Sequence, residues 1–428
     1  MILPASPSCR SLADIHGFHL VALVVLLAFL AGFGPLCTDM YLPALPGIAE
    51  ELSISTALAQ GSITSCLLGL ALGQIFIGPI SDGIGRKGIL ISSLGAFTLT
   101  SLLCARASSG EEFLILRFLQ GLCGAGGSVL CRAVSCDSFE GSRLTRFMAM
   151  FMAVTGLAPI FGPLIGGVIA TAAGWHGIFF LLGAIGIALF IGCWLLMPET
   201  LPPENRIRGG MGASFCNMGR LFHQKAFLLY AGVQGFTAAG FFCYISASPF
   251  IFLNIYGFNM EEFSFFFGAN ALVLAGSSFL AGQLSARFGE RTLLAYGNAC
   301  RALACLAVLG VCILNPANPL PMMASLMAML AAQGITKPTS FTLAVMSQSV
   351  GAGAASGILG VVFFICGAAA SPLAGIAGPD NALPLGIMTA LSGIGALICS
   401  LRGNRAFAGN PDKVCHAGML LHRQDAPD

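Results

Sequence analysis

The segment Gly73–Gly88, GQIFIGPISDGIGRKG, places one acid and two bases between two long apolar runs. The charged residues are Asp82, Arg86 and Lys87. Charge is scarce elsewhere, because only 9% of the 428 residues are charged, 56% are hydrophobic and the mean hydropathy is +0.87. Soluble domains average roughly 25% charged residues. The composition therefore predicts a polytopic membrane protein, with this segment in a loop at the membrane surface.

The apolar runs predict helices that cross the membrane. A spanning helix needs about 20 apolar residues, whereas an outer-membrane barrel would show short segments of alternating polarity. Breaks at charged, polar or proline-rich positions leave twelve candidate spans, which predict an all-α membrane protein. They lie near residues 18–42, 56–79, 88–106, 112–136, 145–172, 176–197, 226–253, 262–286, 291–314, 320–347, 352–377 and 382–401.

One long polar connection, Pro198 to Lys225, divides the predicted spans into six and six. We therefore predict an N-terminal bundle at 1–197, a cytoplasmic linker at 198–225, a C-terminal bundle at 226–405 and a cytoplasmic tail at 406–428. Lysine and arginine accumulate in the cytoplasmic loops of membrane proteins. Placing both termini in the cytoplasm puts most of the twenty lysines and arginines on that side.

The charged loop has a second copy in the other half. The stretch Gly78–Lys87 aligns with Gly282–Arg291 at one constant spacing, and both copies join the second and third helices of their half. The second copy has Ala286 where Asp82 stands. Internal repeats of this kind are typical of secondary transporters.

Four motifs in the first half carry a family resemblance. Gly78–Lys87 resembles the loop signature of the major facilitator superfamily, and Thr38–Pro46, TDMYLPALP, resembles the first helix of its bicyclomycin-resistance branch of drug:proton antiporters. Arg117–Gly121 is similar to the fourth-helix signature of the superfamily. Pro159–Gly167 is similar to its fifth-helix antiporter signature.

The resemblance implies two six-helix pseudo-repeats around a central cavity, the major facilitator fold, in a bacterial inner membrane. It also implies proton-coupled efflux, by alternating access, of small amphipathic compounds such as bicyclomycin or chloramphenicol-like antibiotics. The partners would be a small-molecule substrate, protons and the lipid bilayer, and we expect a monomer. The alternative is a metabolite, nucleoside or sugar transporter of the same fold, working by symport or export, because a fold does not fix a substrate.

The charged loop has two interpretations. It could be a solvated basic loop at the cytoplasmic surface. The resemblance favours a conformational latch, in which Arg86 pairs with Asp137 and Asp82 lies against a helix N-terminus in the other half, where the helix dipole favours an anion. Glycines there permit a tight turn and close helix approach. The latch residues are Gly78, Asp82, Gly85, Arg86, Lys87 and Asp137.

Asp39 is the only acid well inside the predicted spans. It is either an interfacial residue at the outer end of the first helix or a functional one. A carboxylate in the last helical turn opposes the helix dipole, and ionisable residues inside a membrane are usually functional. We predict that Asp39 binds and releases protons and contacts substrate. The same site includes Arg117, at similar depth in the fourth helix, and the motif residues Tyr41 and Gln120.

A kinked, smooth-faced fifth helix is predicted from its small residues and prolines, which permit close packing and interrupt backbone hydrogen bonds. Its role is either packing alone or, as the resemblance implies, a seal between the two bundles that prevents proton leak and favours antiport. The residues are Gly156, Pro159, Gly162, Pro163, Gly166 and Gly167.

Three more residues are candidate substrate contacts. Arg132 is either a partner in a structural ion pair or a substrate contact near the inner mouth. Lys337 departs from the usually uncharged pattern of the branch, and it marks either affinity for an anionic substrate or a structural or interfacial position. Tyr244 could line an apolar drug site.

Other functional classes lack their motifs in this sequence. The sixteen cysteines form no Cys-x-x-Cys pair and fall mostly inside apolar runs, so we expect small buried side chains rather than metal ligands. No phosphate-binding Gly-x-x-x-x-Gly-Lys-Ser/Thr loop occurs, and the basic residues are scattered. We therefore predict that the protein is not an enzyme, uses no cofactor or metal and binds no nucleic acid.

Overall fold

The computed structural model describes residues 18–138, 141–201, 206, 219, 221–314, 317–348 and 352–408, and for 141–160 it describes the backbone but not the side chains. Within these residues every regular element is helical. The predicted all-α fold class is therefore confirmed.

The long helices follow the predicted order. Short 3-10 turns occupy Leu42–Ala44 and Ser371–Gly375, and a π turn occupies Ile251–Ile255. The α-helices are α1 Phe18–Asp39, α2 Leu45–Glu51, α3 Thr56–Ile84, α4 Arg86–Cys104, α5 Gly110–Ser138, α6 Gly141–Leu196, α7 Lys225–Phe250, α8 Met260–Phe288, α9 Glu290–Leu314, α10 Leu320–Met346, α11 Ala352–Ala370 and α12 Leu383–Ala408.

Each of the twelve predicted spans overlaps one of eleven long helices of the described residues, because two spans share α6. The predicted fifth and sixth spans are joined in α6, where Gly174, with φ of 66°, is the only break in the helical backbone that α6 records. The chain therefore passes from the fifth predicted span to the sixth at a single glycine. Nine helices of the described part are long and apolar enough to cross a membrane, and twelve spans remain our prediction for the whole chain.

The two copies of the charged loop share a backbone feature. Gly85 separates α3 from α4 with φ of 124°, and Gly289 separates α8 from α9 with φ of 78°. Side chains with a Cβ rarely adopt such positive φ values. The positive φ at these two aligned positions thus explains why both carry glycine.

By internal packing the described helices divide into two compact units. The first holds α1 to α6 together with Ile245–Leu272 and Ala374–Asn381, and the second holds the remaining parts of α7 to α12. The domain boundaries 1–197, 198–225, 226–405 and 406–428 stay predictions, and most of the linker and the tail lies outside the described residues.

In the first unit, α3 and α5 approach each other through glycine. A Cβ on Gly69 would overlap the carbonyl of Phe118, and a Cβ on Gly121 would overlap the carbonyl of Cys66. Small residues let helix backbones pack in direct contact. This contact fixes the position of α5, which carries the arginine described below.

The second unit has its own apolar core, to which five helices contribute side chains that include Phe227, Leu294, Leu343, Leu359 and Phe407. Many large apolar side chains point outward instead in both units, for example Leu99, Leu195, Phe279, Leu303 and Leu314. So many exposed large apolar side chains suit a lipid environment better than water.

We expect Gly121→Ala to destabilise the protein by about 1–3 kcal/mol, because the added methyl group must force α3 and α5 apart. The matched control is Gly88→Ala in α4, where the added Cβ has no neighbour within 4 Å and alanine favours the helix. Thermal unfolding of the purified protein in detergent measures both changes. Equal unfolding temperatures for the two variants would contradict the packing described here.

Candidate functional site

Arg117 of α5 is fully buried where α1 ends. Its Nη2 donates to the carbonyl of Cys37 at 3.1 Å, its Nη1 lies 3.5 Å from the Cys37 sulfur, and Nη1 also donates to the side chain of Gln120. Carbonyls in the last turn of a helix lack partners within the helix, and the helix dipole favours a cation there. Arg117 therefore caps the C-terminus of α1.

Aromatic rings surround the same guanidinium group. Its central carbon lies 4.2 Å from the ring centre of Tyr41 and 5.5 Å from that of Phe179, which are cation–π distances. The Tyr41 hydroxyl forms a 3.0 Å hydrogen bond with Ser62, and Gln120 donates to Ser101 at 2.8 Å. The structure thus brings Arg117, Tyr41 and Gln120 together.

Asp39, the last residue of α1, lies under α6. Its side chain accepts a 3.0 Å hydrogen bond from Thr38, and only 4% of the residue is exposed. A Cβ on Gly162 would lie 3.4 Å from the Asp39 Cβ, and a Cβ on Gly166 would overlap the carbonyl of Met40. The predicted antiporter helix therefore packs directly against the predicted proton-binding residue.

Of the other residues in the predicted antiporter helix, the structure describes the packing of Pro163 and Gly167 only. Pro163 is buried, and a Cβ on Gly167 would overlap the hydroxyl of Ser264 in α8. Gly156 and Pro159 lie in the helical backbone of α6, but their packing falls outside the described side chains.

The charged loop holds Arg86 between two acids. Arg86 forms ion pairs of 2.5 Å with Asp82 and 3.0 Å with Asp137, and it donates to the hydroxyl of Ser81 at 2.6 Å. The Ser81 hydroxyl in turn donates to the carbonyl of Gly78. Only 9% of the Arg86 side chain is exposed, so Arg86 is less solvated than it would be in an open basic loop.

Glu199, just after α6, completes the loop and was missed by the sequence analysis. Its carboxylate accepts hydrogen bonds from the backbone N–H groups of Arg86 at 2.8 Å and Lys87 at 3.3 Å. A carboxylate at a helix N-terminus is favoured by the dipole and by the unpaired N–H groups. A Cβ on Gly85 would lie 2.6 Å from Glu199. The sequence signal for it is an acid in a segment that the predicted topology places on the cation-rich side of the membrane.

The candidate substrate residues are spread over both units. In the first unit Arg132 is exposed. In the second unit the Lys337 ammonium lies 4.3 Å from the ring centre of Phe363, and its carbonyl accepts a 2.7 Å hydrogen bond from Gln234. Tyr244 is 1% exposed.

A second fully buried arginine, Arg301 of α9, had no role assigned from sequence. It donates to the carbonyl and the hydroxyl of Ser392 at 3.3 and 3.1 Å, and a Cβ on Gly240 would lie 2.8 Å from its Nη2. Arg301 therefore ties α9 to α12 beside a glycine of α7. Among the residues that the structure describes, no group of histidines, cysteines and acids could hold a metal ion.

Comparison with known families identifies the architecture. The model of the Major Facilitator Superfamily matches residues 21–372. The chain belongs to this superfamily. It is therefore a multi-pass membrane transporter and not an enzyme, and the family resemblance stated from the four motifs is confirmed.

Two other transporters are similar in sequence to this chain over most of its length. The uncharacterized MFS-type transporter YdgK of Bacillus subtilis is 38% identical over 385 residues, covering 89% of this chain and 95% of YdgK. A bicyclomycin resistance protein homolog of Haemophilus influenzae is 30% identical over 362 residues, covering 85% of this chain and 91% of that protein.

A solved structure shares the fold of this transporter. The bacterial homolog of the human lysosomal transporter Spinster, in an inward-facing and unoccupied conformation, has a TM-score of 0.76 and 16% identity. The match covers 93% of this chain and 99% of that one. At this identity the likeness concerns the fold alone.

We expect Glu199→Gln to speed amide hydrogen exchange at Arg86 and Lys87 about fivefold, because losing a charge-assisted cap costs about 1 kcal/mol. Exchange followed by mass spectrometry of the peptide at the start of α4 measures this change. Glu111→Gln is the control, since Glu111 is an exposed acid in the first turn of α5. If both variants leave the α4 peptide unchanged, Glu199 is not its cap.

Proposed function

We propose that this transporter exports small amphipathic compounds in exchange for protons. The observation that carries the proposal is the burial of two ionisable side chains at one helix end. Asp39 is the last residue of α1, and Arg117 binds the same turn two residues earlier. Charged groups buried among apolar helices are costly, so their presence calls for a function that uses them.

Proton and substrate compete for Asp39 in this proposal. A buried carboxylate is stable either with a bound proton or next to a cation. A cationic or polar drug that enters from the cytoplasm displaces the proton, and a proton from outside later displaces the drug. Tyr41 and Gln120, which contact Arg117, keep the arginine in place while Asp39 changes its partner.

The glycine contacts of α6 suit a moving seal. Gly162 packs against Asp39, and Gly166 packs against Met40. Because glycine has no side chain to fill the space, a small shift of α1 would displace α6 directly. We assign Gly156, Pro159, Pro163 and Gly167 to the same seal, in which Gly167 packs on Ser264 of α8. A close, smooth contact of this kind limits proton leak and thereby favours antiport over uncoupled flow.

The charged loop acts as a latch in this account. Arg86 holds Asp82 and Asp137 on α3 and α5, and Glu199 caps α4 from the end of α6. These contacts join the C-terminal ends of α3, α5 and α6 to the start of α4 at one side of the first unit. Gly78, Gly85 and Lys87 shape that side, and rearrangement of the latch accompanies the change between conformations.

The substrate class is suggested by a relative whose name is a bicyclomycin resistance protein homolog. We propose drugs such as bicyclomycin or chloramphenicol-like antibiotics, with Tyr244, Arg132 and Lys337 as further substrate contacts. We further propose that the transporter is a monomer in the bacterial inner membrane with both termini in the cytoplasm, as the distribution of lysine and arginine predicts.

Direction of transport tests the proposal. A drug-susceptibility panel in a host without other pumps first identifies an exported compound. Inside-out vesicles with an acidic lumen should then accumulate that compound, because protons leaving the lumen drive it inward. Loss of compound from the lumen together with protons would instead identify a symporter of metabolites, nucleosides or sugars.

We expect Asp39→Asn to abolish proton release on addition of the exported drug to the purified transporter, because the amide keeps the shape but cannot titrate. A pH electrode in weakly buffered detergent solution measures the release. Asp380→Asn, in an exposed loop, is the control and should release protons like the parent. Unchanged release from Asp39→Asn would exclude Asp39 as the coupling residue.

A further inference from the structure

The charge of Arg117 is not balanced by a carboxylate within the part of the chain that the structure describes. Among the residues that the structure describes, no acid forms an ion pair with it, and the residue is fully buried. Arginine keeps its proton at any ordinary pH, and a buried charge is strongly unfavourable unless an opposite charge offsets it. The guanidinium group therefore needs an anion from some other residue type.

The sulfur atom of Cys37 lies beside the guanidinium group of Arg117, and the sulfur atom of Cys66 lies next to that of Cys37. The Cys37 sulfur lies 3.5 Å from Nη1 of Arg117 and 3.8 Å from the sulfur of Cys66 in α3. Both cysteines are fully buried. A thiolate is the form of cysteine that accepts hydrogen bonds strongly, and neighbouring arginine stabilises it. The other ionisable groups facing this cluster are Tyr41 and Cys104.

A comparison with Cys131 of α5 shows why the geometry at Cys37 is unusual. The Cys131 thiol, equally buried, donates to the carbonyl of Leu27 at 2.9 Å, as a neutral thiol does. Cys37 instead receives an N–H group from Arg117 and has a second thiol as its neighbour. Its surroundings offer hydrogen-bond donors to the sulfur.

We propose that Cys37 is a thiolate that balances the charge of Arg117, with the Cys66 thiol donating a hydrogen bond to it. The Cys37 S–H bond breaks and its proton passes to bulk water, while both electrons of that bond stay on sulfur. The thiolate then accepts hydrogen bonds from Arg117 and Cys66. No sulfur is oxidised, so no oxidant takes part.

This charge has a consequence for transport, which rests on the proposed function. Cys37 becomes a second proton-holding group two residues from Asp39. A proton that binds Cys37 removes the anion beside Arg117 and frees the guanidinium for another negative group. Cys37 is thus a positioning residue, because it acts through Arg117.

Ultraviolet absorbance tests the charge directly, since a thiolate has an absorption band that thiols and alcohols lack. The reduced, purified transporter at neutral pH should lose the band of one thiolate on Cys37→Ser, and Arg117→Met should lose it too. Cys66→Ala should weaken the band, because the thiolate loses the hydrogen bond from Cys66. Cys131→Ser is the matched control and should keep the parent spectrum. Identical spectra for the parent, Cys37→Ser and Cys131→Ser would overturn the proposal.

Transport separates a charge role from a packing role. Cys37→Ser should lower the transport rate about tenfold or more, because Arg117 loses its anion, whereas Cys37→Asp should restore most of it. Tolerance of serine together with loss on aspartate would show that Cys37 only fills space. If the parent exports no drug at all, the proposed function fails, but the absorbance result still decides whether Cys37 carries the charge.

Discussion

Burial of the Arg117 guanidinium against the end of α1 is the constraint on which the first unit depends. A cation without water needs hydrogen-bond acceptors, aromatic faces and negative charge. Cys37, Gln120 and Tyr41 supply contacts of these kinds, and they come from α1, α5 and the turn that follows α1. Arg117 therefore joins α1, α5 and the turn that follows α1 at the place where Asp39 lies.

Close helix contact through glycine makes this burial possible. Gly69 and Gly121 let the backbones of α3 and α5 touch, which holds Arg117 at the depth of Cys66 and Cys37. Gly162 and Gly166 let α6 cover Asp39 in the same way. These contacts have backbone or side chains directly against glycine. We propose that the helices shift against each other at these same surfaces during transport.

Much of this could be predicted from sequence, because membrane helices are defined by long apolar runs and the loop glycines by their motif. The predictable features are the helix positions and the closeness of Arg117, Tyr41 and Gln120. The cap by Glu199 and the packing of Cys37 on Arg117 could not be predicted, since they join positions far apart in sequence through backbone geometry. A cysteine inside an apolar run is indistinguishable from a packing residue until its neighbours are known. The break in α6 at Gly174 is likewise a property of one φ angle.

We propose that the buried charges at the end of α1 exchange a proton for substrate. Infrared difference spectroscopy of the transporter before and after drug addition tests this exchange. Drug binding should remove the carbonyl band of a protonated carboxyl group, and this change should be absent from Asp39→Asn. A protonated carboxyl band that drug addition leaves unchanged, or a change that persists in Asp39→Asn, would contradict it.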